Sequence, residues 1–240
     1  MHLSKVIKEG MSGEAWAGLI DGVQAIVLTL LVLEMPDLII NIIEKASTHQ
    51  ITGDRIAFIV AQQLAGYLLI AIVIYDIWSI HKNLVENIKP SKLCSISTLG
   101  ALWLSTLIPP MFFLLEHFVQ DLSLSELIGE IQDPDIGILL AIRSAALFLL
   151  FLIYSLLLNL ANNELRQPTD SSEEETSRRR QLTLNRALLK RRCIVIPALI
   201  TISLFIGIKT GAMVLLFPSL VLAITIFVPP GKFVPLNSNA

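Results

Sequence analysis

The chain has 240 residues, 54% of them hydrophobic and 16% charged, with a mean hydropathy of +0.70. So much apolar surface excludes an ordinary soluble domain and marks a polytopic membrane protein. The net charge of -2 decides nothing by itself, because the signs are sorted by loop.

Residues Met1 to Glu14 form a short polar lead. A first helix is expected over about 15–35, WAGLIDGVQAIVLTLLVLEM, closed by Pro36. About 20 residues at about 1.5 Å each cross a bilayer core. The run exceeds a signal-peptide h-region and lacks a small-residue cleavage site, so it is expected to stay in the mature protein. It carries Asp21, Gln24 and Thr29. A carboxylate in a membrane helix costs about 2.5 kcal/mol or more, which makes Asp21 a site hypothesis by default. The linker from Pro36 to Asp54 has an apolar part too short to span and is expected on the surface.

Helix 2 is expected over about 56–80, with Tyr75, Trp78 and His81 at its far end, where interfacial aromatics belong. A basic turn leads to helix 3 over about 96–115, in which Pro109 and Pro110 predict a kink or early stop. The acidic segment Glu116 to Asp135 contains SLSELIGEI, which reads as a short capped amphipathic helix. Helix 4 covers about 136–161 and contains Arg143. Residues 163–185 read as a flexible cytoplasmic loop. Helices 5 and 6 follow over about 193–208 and 212–228, joined by a KTG turn. The expected fold is one all-α domain over residues 1–240 with six transmembrane helices and no re-entrant pore loop.

Fourteen Lys and Arg residues fall in the two tails and the even-numbered loops, against Lys45, Arg55 and Lys209 on the other side. By the positive-inside rule both termini are cytoplasmic. Cys94 and Cys193 then adjoin cytoplasmic loops, and no disulfide is expected. The basic run Arg178 to Arg192 fits a topology signal and anionic headgroups equally well.

At 100° per residue, Gly18, Gly22, Ile26, Thr29, Leu30 and Leu33 share one face of helix 1, and Asp21, Ala25, Leu28 and Val32 another. The first face is either a close helix-packing seam, through the Gly18 and Gly22 pair, or a pore wall narrowed by bulky apolar residues. Composition alone favours the seam. Asp21 lies about two turns into helix 1 from the cytoplasmic side, level with His81 and with Ser97 and Thr98, so these groups can meet. Arg143 is better matched to Glu34 or Glu116. No metal cluster, nucleophile with base or phosphate loop appears, so the chain does not read as an enzyme.

The string DGVQAIVLTLLVLEMP resembles the first helix of bacterial relatives of the lysosomal potassium channel called transmembrane protein 175. That family carries an Arg, three residues, then Phe-Ser-Asp and a run similar to this one. Asp21, Gly22, Val23, Ala25, Ile26 and Thr29 to Glu34 agree, whereas Ala15, Leu19 and Ile20 stand where the Arg, Phe and Ser would be. The likeness continues through Trp78 and His81, with Thr98 in the place of an Asn and Ile108 to Pro110 where the family tends to have Leu-Pro-Phe.

The resemblance implies a bacterial inner-membrane channel of four six-helix subunits, permeable to potassium ions, using no cofactor and binding no nucleic acid. It implies a pore lined by helix 1, with Ile26, Leu30 and Leu33 as the constriction and Gly22 and Thr29 along the wall. It also implies a truncated helix-bracing network of Asp21, His81, Thr98 and Trp78. Two other readings stand beside the channel. One is a non-conducting membrane scaffold of the same fold, suggested by Ala15, Leu19 and Ile20. The other is a proton-coupled transporter using Asp21 and His81, against which the lack of an inverted repeat counts.

Overall fold

A computed structural model describes residues 12–48, 53–121, 135–168, 172–206, 221 and 224–226. Its elements are α1 (Gly13–Leu33), α2 (Met35–Thr48), α3 (Gly53–Asn87), α4 (Lys92–Ser105), α5 (Ile108–Asp121), α6 (Asp135–Leu165) and α7 (Glu173–Ile206). No strand occurs among the described residues. Among those residues, four stretches are long and apolar enough to cross a membrane: Gly13–Asp37, Leu64–Asn87, Lys92–Leu114 and Ala141–Leu165. The described residues fold as helices joined by turns, and the chain is a multi-pass membrane protein.

Local chemistry sets the helix ends. The Ser12 side chain accepts the Ala15 N–H at 3.3 Å, which gives one of the free amides at the start of α1 a partner. Pro36 brings α1 to a stop, because proline has no N–H for the carbonyl four residues back. The chain turns at Glu34, and Pro36 falls in the first turn of α2, where no donor is needed. The same device divides the helix expected over 96–115. Thr106 donates its hydroxyl to the Trp103 carbonyl at 2.7 Å, and Pro109 and Pro110 sit in the first turn of α5. The break therefore falls just before the prolines.

The largest difference from expectation lies between α6 and α7. The flexible loop expected over 163–185 is mostly helix, since α6 continues to Leu165 and α7 begins at Glu173. Composition there resembles a solvated loop, but the order of the charges suits a helix. Glu173, Glu174 and Glu175 occupy the positive end of the α7 dipole. Ser172 accepts the Glu175 N–H at 3.2 Å, and Arg178 meets Glu175 one turn later at 2.7 Å. The helix expected over 193–208 is thus the second half of α7. The SLSELIGEI helix, and most of the helix expected over 212–228, lie outside the described residues.

α6 and α7 form an antiparallel pair, α4 and α5 pack on α6, and α3 touches both α1 and α7. Leu182, Leu189 and Ile196 are fully buried and seven residues apart, so they form one stripe of α7. That stripe joins Ile153 and Leu157 of α6 and Ile74, Ile77 and Leu84 of α3 in one core. Trp16 and Ile20 of α1 form a smaller cluster with Val85 and Leu102. Beside it, α1 and α3 approach so closely that a Cβ on Gly13 would stand 2.9 Å from the Val85 carbonyl oxygen. α3 is therefore held between α1 on one side and α7 on the other.

Candidate functional site

α1 buries Trp16, Ala17, Ile20, Gln24, Val27 and Leu31, whose steps of three and four residues make one stripe. Gly18, Gly22, Ile26, Thr29, Leu30 and Leu33 face away from the rest of the chain. Ile26 is 60% exposed, Leu30 46% and Leu33 65%. A Cβ on Gly18 or Gly22 would meet nothing within 4 Å, so this pair makes no seam inside the subunit. The Thr29 hydroxyl donates to the Ala25 carbonyl at 2.7 Å. Satisfied within its own helix, it leaves the outward face without a polar demand.

The opposite side of the helix is clamped. Asp21 accepts the Trp78 indole N–H at 2.7 Å on Oδ1 and the Lys82 ammonium at 2.8 Å on Oδ2. Lys82 also lies 5.5 Å from the centre of the Trp78 ring, within reach of a cation–π attraction. Trp78 and Lys82 are one helical turn apart and share the α3 face toward α1. His81, rotated about 100° from Lys82, is fully buried instead, and neither of its ring nitrogens meets a partner among the described residues. Thr98 is also fully buried, with its hydroxyl beside the Cys94 thiol. The structure thus brings Asp21 and Trp78 together, adds Lys82, and joins neither His81 nor Thr98 to them. A count of loop charges hides Lys82 among its neighbours, although its i, i+4 spacing from Trp78 is visible in the sequence.

Part of the chain is similar to a known family. Residues 17–109 match the family model described as Endosomal/lysosomal potassium channel TMEM175. The match covers 93 of the 240 residues, and over that stretch the chain is similar to the TMEM175 family. No curated protein and no solved structure matched the chain. The TMEM175 match takes in α1 from Ala17, all of α2, α3 and α4, and the first residues of α5. It therefore contains both the outward stripe and the Asp21 clamp.

A second polar cluster reaches beyond the TMEM175 match. Arg192 of α7 is fully buried and grips Asp76 of α3 with two nitrogens, Nε to Oδ2 at 3.1 Å and Nη2 to Oδ1 at 3.2 Å. Tyr154 of α6 donates its hydroxyl to Asp76 Oδ2 at 2.7 Å, and Arg192 Nη1 donates to the Thr225 carbonyl at 2.7 Å. Both charges are paired and their remaining hydrogen-bond capacity is largely met, as burial of an ion pair requires. The sequence expectations include no role for Asp76 and place Arg192 among the loop charges. A lone carboxylate in VIYDIWSI is nevertheless the same kind of signal as Asp21.

Toward the end of α3, Arg178 Nη1 donates to the Asn87 carbonyl and to Glu164 Oε1, both at 2.9 Å. Its Nη2 reaches Glu175 at 2.7 Å, and that hydrogen bond holds the Glu175 carboxyl below its ordinary 4.5. The folded state favours ionised Glu175, so this contribution is present above about pH 4.5 and is lost as pH falls through the lowered value. Amide hydrogen exchange over residues 173–180, corrected for intrinsic rates, is expected to slow at neutral pH and to lose protection only in that acid window. Equal protection at both ends of the window would contradict the clasp. Among the described residues, no group of three or more His, Cys, Asp or Glu side chains is placed to hold a metal ion.

Proposed function

We propose that the protein is a potassium-permeable channel of four identical subunits, each with six membrane-crossing helices, in which α1 of each subunit lines the pore. Ile26, Leu30 and Leu33 form its apolar constriction, and Gly22 and Thr29 line the wall beside them. The observation that carries this reading is the unpartnered apolar stripe of α1 within the stretch similar to the TMEM175 family. The stripe lies on the side opposite the buried face, so four copies can meet along it without disturbing the clamp to α3.

A ring of apolar side chains gates by dewetting and obliges an ion to shed water as it passes. Asp21 serves as a brace rather than an ion site, because its two oxygens are already taken by Trp78 and Lys82. Ile20, at the position where the resembled motif has Ser, contributes apolar packing against Trp16, Val85 and Leu102. That packing supports a working α1 brace over the scaffold reading. Both termini face the cytoplasm of a bacterial cell, and potassium is the permeant species rather than a bound cofactor.

The test is potassium efflux from liposomes holding the purified protein. Efflux well above that of protein-free liposomes supports the proposal, and efflux equal to theirs ends it.

A further inference from the structure

α7 meets α3 through a ladder of side chains at regular intervals. Arg178, Asn185 and Arg192 are each seven residues apart, which places them on one stripe of α7. They reach, in order, the Asn87 carbonyl at 2.9 Å, Asn83 Oδ1 at 2.7 Å, and both carboxylate oxygens of Asp76. The order runs backward along α3, so the two helices are antiparallel. Each rung is directional, and the last is a two-nitrogen grip that tolerates little sliding.

The other side of α3 carries the residues that hold α1. Asp76 and Trp78 are two positions apart on α3, which turns their side chains to nearly opposite faces. One face takes Arg192 from α7, and the other presents Trp78 and Lys82 to Asp21. A shift of α3 along α7 by one residue would carry Trp78 and Lys82 about 1.5 Å along the axis and turn them by about 100°. That movement is enough to break hydrogen bonds of 2.7 and 2.8 Å.

We infer that Asp76 and Arg192 are positioning residues for conduction: by fixing α3 in register on α7, they set where Trp78 and Lys82 hold α1. This rests on the channel reading above for its consequence in flux, but not for the registration itself. Neither residue touches the outward stripe of α1, so their effect passes through α3.

The distinction from a merely stabilising pair lies in what an apolar replacement restores. Asp76→Leu combined with Arg192→Met removes both charges and leaves neither unpaired, so the helices can still pack. What it removes is the directional grip. The experiment places this double substitution, and separately Asp76→Asn, in liposome-embedded protein and measures two things. One is potassium efflux. The other is the rate at which a short bifunctional thiol reagent cross-links cysteines introduced by Glu14→Cys and Glu86→Cys, exposed positions beside the close approach of α1 and α3 at Gly13, in a background with Cys94→Ala and Cys193→Ala.

The expected result is a folded Leu/Met protein whose cross-linking and efflux rates both fall about tenfold or more. The Asp76→Asn protein, where it can be purified, should show a loss at least as large. A folded Leu/Met protein with unchanged cross-linking overturns the inference, because the pair then stabilises without positioning. Lower cross-linking in a protein that never conducted potassium would uphold the registration and remove the channel reading instead.

Discussion

Replacing Ile26 with Asn is expected to raise the initial rate of potassium efflux about tenfold or more, equivalent to about 1.4 kcal/mol off the barrier. In the proposed tetrameric pore, four amides at the narrowest ring would offer oxygen atoms to an ion where four isoleucines would offer none, and would keep the constriction wet. The substitution is placed to act on the pore rather than on folding. Ile26 is 60% exposed, whereas its neighbour Val27 is 1% exposed and packs into the core. Val27→Asn should therefore unfold the subunit, while Ile26→Asn leaves it intact. Unchanged or slower efflux from well-folded Ile26→Asn protein would remove Ile26 from the ion path.

Asp76→Leu alone is expected to cost about 3–5 kcal/mol, because it leaves the buried Arg192 guanidinium without its counter-charge. The Tyr154 hydroxyl loses its acceptor as well. Adding Arg192→Met should recover most of that loss, since replacing both members of a buried ion pair by apolar groups is often neutral. Unfolding midpoints in detergent measure both proteins. A single variant as stable as the double would mean that the two charges are not coupled. Arg143 is also buried on α6, and Glu34, suggested for it by depth, is exposed at the end of α1.

Much of the membrane architecture is legible in the sequence because hydropathy and length are averages over many residues. The first stretch, its proline stop and the outward stripe of Ile26, Leu30 and Leu33 all follow from periodicity in one helix. What is not legible depends on pairing between helices distant in sequence. Nothing local reveals that Asp21 takes Lys82 rather than His81, because the choice depends on which face of α3 turns toward α1. The start of α7 escapes for a different reason. A run of Glu followed by Arg has the composition of a disordered loop, and only its order, acids first and bases one turn later, makes it a capped helix. Arg192 looks like the last of a basic cluster, yet it stands seven residues from Asn185 and fourteen from Arg178, which separates it from the exposed charges around it.

The central claim, that the outward stripe of α1 faces the ion path, is tested most directly by a charged thiol reagent acting on single cysteines in α1. With Cys94 and Cys193 replaced by Ala, Ile26→Cys and Val32→Cys each place one reactive group on an exposed position, 60% and 59% accessible in the subunit, on different sides of the helix. A cationic methanethiosulfonate added to conducting liposomes should stop potassium efflux through the Ile26→Cys protein and leave the Val32→Cys protein unaffected. Efflux that continues unchanged after the Ile26→Cys thiol has been fully modified would contradict the account.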